Sequence, residues 1–564
     1  MDLNALRQQA REEAKCFLEN DKEYRMGYIE AEKPHPLTRR LSQTYAESVE
    51  DGVRLLLSVD NEMAKRASAT LAGENYARFA DRIRKTVSEG GRVIFSGCGS
   101  SGRLSMRLEQ SWRNAVAKLS ERYPEAKSAL EEKLDSVGNI MTGGDYAVIR
   151  AVESFEDSTK LGEEQARELG LGAGDLLVGV TATGETTSIL GTAMQALRDG
   201  ASVYMLICAD HKPLVERMAR ARAVYNDPGC SVMFLPCGPM ALTGSTRMQS
   251  STFEQLAGCV ALEGALCDIL QGCGINCQWK GYGWYGEQFL SMTQQLMSDR
   301  AVGVLADVSE IEQSVYEKGG LMTLFADEFL LDVLTDTTER APTFMTPPFA
   351  SADIKQTEQS WAFVKNPCCG TEEAWVNCFL REPNCINWSK EKYAQLGLNG
   401  KQIEKIPDIS SSALKRFMIG NEPMPEREKD PSYALWVDAV AAPACFEEQA
   451  RNYSGSGALT ISDTGVSLAE TGMDMFEHLC IKLMLNTLST GVMARMGRID
   501  GNWMTCLAMS NKKLVDRSAR IVSDVCGVPY ETALEEIYYS RALAEAQGLN
   551  RSAAQEAIRR LGAK

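Results

Sequence analysis

The chain has 564 residues and carries 60 lysines and arginines against 76 aspartates and glutamates, which gives a net charge of −16. This length predicts more than one domain, and the acidic balance argues against nucleic acid or an anionic membrane surface as a partner. Seventeen cysteines without a regular framework and three histidines predict reduced thiols and neither a metal site nor another cofactor. No window holds the roughly 20 apolar residues that span a bilayer, so we expect a cytoplasmic protein without membrane segments.

The first half of the chain alternates predicted helices and strands. A helical lead-in, interrupted at Pro34-His35-Pro36, precedes four short apolar runs that are typical of strands. These runs begin at Arg92, Gly138, Asp175 and Ala201, and helical patterns separate them. Alternation of this kind predicts an α/β fold, a parallel sheet with helices on both faces, in which ligands bind at the carboxyl ends of the strands.

The first of these strands ends in a glycine-rich corner, Gly97-Cys98-Gly99-Ser100-Ser101-Gly102, and a helical pattern starts at Leu104. Glycines let the backbone approach a ligand, serine hydroxyls donate hydrogen bonds, and the first turn of a helix presents unpaired amides with partial positive charge. Such a corner suits a phosphate, although its spacing matches neither the dinucleotide-binding fingerprint nor the Walker loop. The alternative is an ordinary strand-to-helix turn.

Two further corners are rich in hydroxyl groups. The third strand ends in Thr181-Ala182-Thr183-Gly184-Glu185-Thr186-Thr187, and the segment Leu242-Thr243-Gly244-Ser245-Thr246-Arg247-Met248 precedes a helix that starts near Ser250. Serine and threonine also cap helices without any further function, which is the competing interpretation. Three such corners in one domain favour a ligand site.

These segments resemble the sugar isomerase (SIS) domain, and within it the group formed by the N-acetylmuramic acid 6-phosphate etherases and the glucokinase regulatory protein. The resemblance covers about residues 45–564, and it is strong in the first unit and in the tail but weak between about 340 and 430. The segments that carry it are Gly97–Leu104, Gly143–Tyr146, Glu153–Ser158, Leu242–Met248, Leu485–Gly491 and Met509–Leu514.

A second copy of the unit follows the first. Gly319–Ala326 repeats the pattern of Gly90–Phe95, and Ala434–Val440 and Ala458–Ile461 predict further buried strands. The resemblance implies two SIS units in one chain, which would form an internal pseudo-dimer. We expect a helical lead-in over 1–44, a first SIS domain over 45–278, a second, degenerate SIS domain over 279–508 and a helical C-terminal cap or lid over 509–564.

The two copies differ at the glycine-rich corner. The second copy has Ala326-Asp327-Glu328-Phe329 there, and carboxylates repel a phosphate. We therefore expect one sugar-phosphate site, in the first unit. For that site the resemblance implies binding of phosphate and sugar by Gly99, Ser100, Ser101, Glu153, Thr183, Gly184, Thr186, Ser245, Thr246, Arg247 and, from the tail, Lys513.

Catalysis would depend on two carboxylates. The etherases, by resemblance, eliminate lactate with one glutamate as base and another as acid. Glu156 matches one of them and is the candidate acid or base, although it also fits the capping region of the helix that follows. Ser111 stands at the position of the other, and Glu109 points to the opposite side of that helix, where we expect it to be solvated. Glu339 of the second copy is the alternative second carboxylate.

The missing glutamate, together with a family lysine replaced by Gln249, favours a binding protein over an enzyme. We expect a carbohydrate-derivative-binding protein of the glucokinase regulatory type with a hexose or aminohexose phosphate as ligand, and a sugar kinase as protein partner by analogy only. The alternatives are an etherase-like carbon–oxygen lyase, a sugar-phosphate isomerase and a purely structural role. Two amphipathic helices after Gly527 form either a packing appendage or a lid.

Overall fold

The computed structural model of the chain describes residues 3–277, 279–351, 358–509 and 511–562. Two parallel sheets flanked by helices dominate the fold, so the predicted α/β class is confirmed. Within the described ranges, no helix has both the length and the apolar content needed to cross a bilayer.

In the described part of the chain, four α-helices precede the first strand. They are α1 (Leu3–Asn20), α2 (Leu41–Glu47), α3 (Val49–Leu71) and α4 (Glu74–Ser88). The prolines of the lead-in fall between α1 and α2, as their missing amide hydrogens predict. The Ser48 side chain accepts a hydrogen bond from the Asp51 amide and caps α3, whose apolar stripe is buried. In contrast, α1 packs against the C-terminal helices of the chain.

The first sheet has the strand order β2-β1-β3-β4-β5, and all of its neighbouring strands are parallel. Its strands are β1 (Val93–Gly97), β2 (Val137–Met141), β3 (Leu176–Thr181), β4 (Ser202–Ile207) and β5 (Cys230–Phe234). The helices that follow these strands are α5 (Gly99–Arg122), α6 (Lys127–Glu132), α7 (Glu153–Glu156), α8 (Thr159–Leu169), α9 (Thr187–Arg198), α10 (Lys212–Arg217), α11 (Ala219–Tyr225) and α12 (Gln249–Gly272). Strands β1 and β3 are buried along their whole length, because helices cover the sheet.

Two helices, α13 (Tyr282–Leu296) and α14 (Asp299–Glu317), lead to the second sheet. Its strands are β6 (Leu321–Phe325), β7 (Ala362–Lys365), β8 (Ser432–Asp438) and β9 (Gly455–Thr460). The helices of this part are α15 (Leu330–Phe344), α16 (Thr371–Phe379), α17 (Lys390–Gln395), α18 (Gly400–Glu404), α19 (Ser411–Leu414), α20 (Pro425–Glu428), α21 (Ala444–Ala450), α22 (Ile461–Thr464) and α23 (Met475–Arg495). The order β7-β6-β8-β9 repeats the order β2-β1-β3-β4 of the first sheet.

The chain ends in a short hairpin and a helical region. These elements are β10 (Ile499–Asp500), β11 (Trp503–Met504), α24 (Lys512–Cys526), α25 (Tyr530–Gln547) and α26 (Ala553–Leu561). Ser552 caps α26 with a complete capping box to Gln555. Ser510, within one of the segments that carry the resemblance, lies outside the described residues.

Two long helices form the centre of the molecule. Helices α12 and α23 are buried on nearly all sides, contact each other and come from the first and second halves of the chain, respectively. Their all-round apolar character explains why they lack an amphipathic pattern. The two sheets therefore share one continuous core.

The cysteines differ from the expected fully reduced set. Cys267 is paired with Cys277, and Cys368 is paired with Cys445 across 77 residues of sequence. The second pair joins the loop after β7 to α21, and only the fold brings these segments together. The prediction of reduced thiols was therefore wrong for these four residues, whereas the thirteen others that the structure describes are free thiols.

Candidate functional site

The turn from β1 to α5 has the geometry of an anion-binding corner. A Cβ atom on Gly97 would lie 2.3 Å from the Ser101 carbonyl oxygen, so only glycine allows this tight turn. Gly99 has φ +56° and open space beside it. The first backbone bond of the helix runs from the Gly102 amide to the Cys98 carbonyl (3.2 Å), which leaves the preceding amides outside the helical ladder.

Hydroxyl groups from three loops gather beside this corner. Ser100 and Thr246 share a hydrogen bond of 2.9 Å between their hydroxyl oxygens, although they lie 146 residues apart in sequence. Thr181, at the end of β3, shares a 2.9 Å hydrogen bond with Thr186, which precedes α9. The β1 and β3 ends are adjacent in the sheet, on either side of the point where the strand order reverses.

Lys513 reaches this place from the first turn of α24. Its ammonium group donates to Glu185 at 3.1 Å. Burial opposes a charge on Lys513, but Glu185, Glu32 and Glu156 outweigh burial and raise the pKa of Lys513. The lysine is therefore a cation at neutral pH. Three helices, α5, α9 and α24, thus direct their positive ends toward one place.

Glu339 of α15 enters the same place from the second half of the chain. Its carboxylate forms an ion pair with the Arg103 guanidinium, which is buried. The Val148 carbonyl accepts hydrogen bonds from Arg103 Nε (3.0 Å) and from the Thr338 hydroxyl (2.9 Å). Helix α15 is thus bound to α5 directly at the wall of the site.

Glu156 lies at the end of α7. The next helix, α8, is capped by Ser158, whose side chain accepts from the Leu161 amide at 3.3 Å. The capping interpretation of this segment therefore applies to Ser158 and leaves Glu156 able to line the site. Burial, and secondarily the charge of Glu156, raise the pKa of the Cys98 thiol well above its usual value, so this cysteine is a neutral thiol.

These groups surround one cavity of about 550 Å³, a volume typical of small-molecule sites. The predicted residues that line it are Gly99, Ser100, Ser101, Glu156, Thr183, Thr186, Thr246, Glu339 and Lys513. Further lining residues, which were not among the predicted site residues, include Arg103, Arg150, Gly244, Thr338, Asn511 and Arg517. Most of these residues lie within four positions of a predicted residue, and this proximity is the sequence signal that they share.

Three predicted residues whose side chains the structure describes are not among the lining residues. Gly184 has φ +77° and its carbonyl accepts from the Tyr225 hydroxyl at 2.7 Å, which makes it a turn residue. Ser245 is buried beside Thr246. Glu153 begins α7, but its side chain lies outside what the structure describes. Arg247 points away from the cavity, into the interface between the two halves of the chain.

The Arg247 guanidinium belongs to a buried polar cluster. It forms an ion pair with Asp336 of α15 at 2.8 Å and donates to Ser489 (3.0 Å) and Thr490 (2.8 Å) of α23. Asp336 also binds Arg340 at 3.1 Å. Arg247 therefore connects the first half of the chain to the second half.

Glu109 is not solvated, contrary to the expectation. It is buried and accepts hydrogen bonds from Arg381 at 2.8 and 3.1 Å and from Arg113 at 3.0 Å. Arg381 follows 272 residues later in the chain, so the local helical pattern could not reveal this partner. Ser111 is also buried and accepts from Arg107 at 3.0 Å.

The arrangement defines a class of protein: a doubly wound α/β protein with an anion-binding crevice at the switch point of its first sheet. A family model, the glucokinase regulatory protein N-terminal SIS domain, matches residues 75–197. The N-acetylmuramic acid 6-phosphate etherase of Salmonella agona is 30% identical over 231 residues, which cover 41% of this chain and 68% of that relative. The chain belongs to the SIS-domain group that contains these etherases and the glucokinase regulatory protein.

Another N-acetylmuramic acid 6-phosphate etherase, from Aliivibrio fischeri, is 32% identical over 215 residues, which cover 38% of this chain and 63% of that relative. This match therefore spans less than two thirds of the relative's length. Among solved structures, the tagatose-6-phosphate ketose/aldose isomerase of Escherichia coli aligns with 83% of this chain and 96% of its own, at 8% identity and a TM-score of 0.39.

Proposed function

We propose that the cavity binds a phosphorylated monosaccharide. The observation that carries this proposal is the convergence of three helix N-termini, a set of hydroxyl groups and the Lys513 ammonium on one cavity of about 550 Å³. Helix N-termini and lysine favour an anion, whereas hydroxyls and a carboxylate suit sugar hydroxyl groups. The names of the etherase relatives, which specify a sugar phosphate, agree with this chemistry.

In this proposal the two ends of the ligand meet different groups. The phosphate lies at the β1–α5 corner, where the Gly99–Ser101 amides and the Ser100 and Thr246 hydroxyls donate to it. The sugar ring lies toward Thr183, Thr186 and Glu156, as the lining of the cavity allows. Lys513 closes the site from the tail.

We further propose that binding, not turnover, is the main function, of the type found in the glucokinase regulatory protein. An elimination requires a free base and an acid on either side of the reacting carbon. Glu339 is held in an ion pair with a buried arginine, and the Ser111 hydroxyl accepts from Arg107. A sugar kinase as partner rests on analogy with that protein alone.

A regulatory role needs two arrangements with different affinity for the ligand. Cavity residues come from the first half of the chain, from α15 and from α24, so a ligand touches all three parts. We propose that the halves of the chain, with boundaries near 45–278 and 279–508, act as an internal pseudo-dimer whose arrangement responds to the ligand.

An etherase-like lyase is the second candidate. It is favoured by one observation, that Glu156 and Glu339 line the same cavity. Under this alternative one of them removes a proton and the other assists the leaving group. Glu339→Gln would then abolish lactate release from N-acetylmuramic acid 6-phosphate without a comparable loss of binding.

Calorimetry and thermal-shift measurements test binding of four ligands: fructose 6-phosphate, fructose 1-phosphate, N-acetylglucosamine 6-phosphate and N-acetylmuramic acid 6-phosphate. A lactate-release assay tests turnover in parallel. A ligand that binds the native state raises the melting temperature. Lys513→Met should weaken binding by roughly 10- to 100-fold, since a charged hydrogen bond is lost. Lys512→Met, at the neighbouring and more exposed lysine, is the matched control and should change affinity less than about twofold.

Either of two results would contradict this proposal. Absence of any thermal shift with all four sugar phosphates would exclude the binding function. Equal losses for the two lysine variants would show that the site lies elsewhere. Lactate release by the wild type would instead favour the lyase.

A further inference from the structure

The N-terminal strap, defined as residues 21–40, lies between α24 and the loop that precedes α12. The Met26 amide donates to the Asp516 carboxylate of α24 at 3.1 Å. The Thr38 hydroxyl donates to the Ala241 carbonyl at 2.7 Å. The strap is thus bound to two of the segments that form the cavity.

Glu32 of the strap is a buried carboxylate on which two arginines of α24 converge. Its carboxylate accepts from Arg517 at 2.5 and 3.1 Å and from Arg520 at 2.7 Å, and its carbonyl accepts from Arg520 at 2.7 Å. Burial opposes its charge, but Arg517 and Arg520 outweigh burial and hold the pKa of Glu32 far below its usual range. The carboxylate is therefore an anion at neutral pH.

Arg517 and Lys513 are four residues apart on α24, so they lie on one face of the helix, and both line the cavity. A Cβ atom on Gly244, which also lines the cavity, would lie 2.7 Å from Arg517 Nε. Arg517 therefore lies tightly between Glu32 and the wall of the cavity. The negative charge of Glu32 raises the pKa of Lys513, whereas Arg517 lowers it.

We propose that Glu32 is a positioning residue of the sugar-phosphate site. By holding Arg517 and Arg520, which lie about one and two helical turns after Lys513, it fixes α24, and so it sets where Lys513 meets the ligand. Without this charge, Arg520 would keep Asp516, but Arg517 would lose its buried carboxylate partner, and α24 would shift against the strap so that water could reach the guanidinium. This inference rests on the proposed function, since it concerns the same ligand.

The experiment measures the affinity of Glu32→Gln for fructose 6-phosphate and N-acetylmuramic acid 6-phosphate by calorimetry, at a temperature where near-ultraviolet circular dichroism shows a folded protein. We expect binding about tenfold weaker than for the wild type. Glu32→Asp keeps the charge with a shorter reach, so its affinity should lie between those of Glu32→Gln and the wild type. If Glu32→Gln does not fold, Glu32→Asp alone must show a loss of about threefold.

Glu556→Gln is the matched control. Glu556 is likewise buried and binds two arginines, Arg551 at 3.3 Å and Arg559 at 2.5 Å, but it lies in α26, away from the cavity. Both variants should lower the melting temperature, whereas only Glu32→Gln should weaken binding. If Glu32→Gln binds as tightly as the wild type, Glu32 has only a structural role and the inference is overturned. Where only Glu32→Asp folds, equal affinity of that variant and the wild type leads to the same conclusion.

A double-mutant cycle tests whether Glu32 acts through Lys513. In the Lys513→Met background, Glu32→Gln should change affinity by less than about twofold, since the group that it positions is gone. If the affinity losses of the two single variants add up in the double variant, Glu32 does not act through Lys513. If the wild type binds neither probe, the proposed function is contradicted as well. If the wild type binds and the Glu32 variants bind with the same affinity, only the role of Glu32 is contradicted.

Discussion

The corners after β1 and β6 occupy equivalent positions in two sheets of the same strand order, yet they serve different purposes. The first corner, with Gly99 and two serines, faces a cavity. The second has Asp327, which accepts from Asn366 at 2.8 Å, and Glu328, which binds Lys118 of α5 at 2.5 Å. Its carboxylates thus bind protein groups, one of them in the first half of the chain.

The helices after the two corners extend this difference. Helix α5 presents its first turn to the cavity, whereas α15 sends Glu339 into that same cavity and Asp332 to the buried His478 at 2.9 Å. The second copy therefore contributes a wall to the site of the first. Duplication of a fold preserves the strand order more readily than the chemistry of its loops.

The largest effect is expected when the first corner is given the chemistry of the second. Gly99→Asp places a carboxylate where we propose the phosphate, so it should weaken sugar-phosphate binding at least about 100-fold by calorimetry. Gly170→Asp is the control, because Gly170 has a similar φ of +62° and open space but caps α8. Binding by Gly99→Asp within about fivefold of the wild type would place the phosphate elsewhere.

A further effect concerns one buried and one half-buried carboxyl on the central helices. Burial raises the pKa of Glu254 to about 8, so its native form holds a proton that the unfolded chain releases near its ordinary value. The stability from this group is complete at low pH and is lost as the pH rises toward 8. Glu254→Gln should therefore flatten the decline of unfolding free energy between about pH 5 and 8, by roughly 3 kcal/mol, since each pKa unit corresponds to about 1.4 kcal/mol.

Glu477→Gln is the counterpart in α23. Burial also raises the pKa of Glu477, but this side chain is less buried than Glu254, so the flattening should be weaker. Urea unfolding at several pH values measures both slopes. An equal pH dependence for Glu254→Gln and the wild type would show that Glu254 is ionised in the native protein.

The smallest effect is expected at the second corner. The Glu328–Lys118 pair is half exposed, so Glu328→Gln should cost about 0.2 to 1 kcal/mol of unfolding free energy. Glu426→Gln, which breaks an exposed pair with Lys429 inside the second half, is the control. Calorimetry should find one sugar-phosphate site in the wild type and in each of the two variants. A second site in Glu328→Gln would show that this charge alone had blocked the second corner.

Strands β1 and β3, which are buried along their whole length, and the mostly buried β4 could be predicted from the sequence, since they are largely apolar runs. The half-exposed edge strand β5, with Ser231 and Phe234 open to solvent, and the four-residue strand β7 lacked such a pattern and were missed. In the second half, β6, β8 and β9 follow the predicted runs within a few residues.

The lining of the cavity could be predicted where a residue type and a backbone turn coincide, as at Gly99 and Ser100. It could not be predicted where the side-chain direction decides. Thr246 and Arg247 are neighbours, but one lines the cavity and the other binds Asp336. The role of Arg517 depends on Glu32, 485 residues earlier, and no local pattern carries that information.

The ion pair of Arg247 and Asp336 also bears on how the molecule unfolds. Separation of the two halves would break this pair, although Asp336 would keep Arg340, and it would expose the apolar core that the halves share to water. Partial unfolding of one half would carry the same penalty. The two sheets are therefore bound into a single cooperative unit, and heat should disrupt them together in one transition.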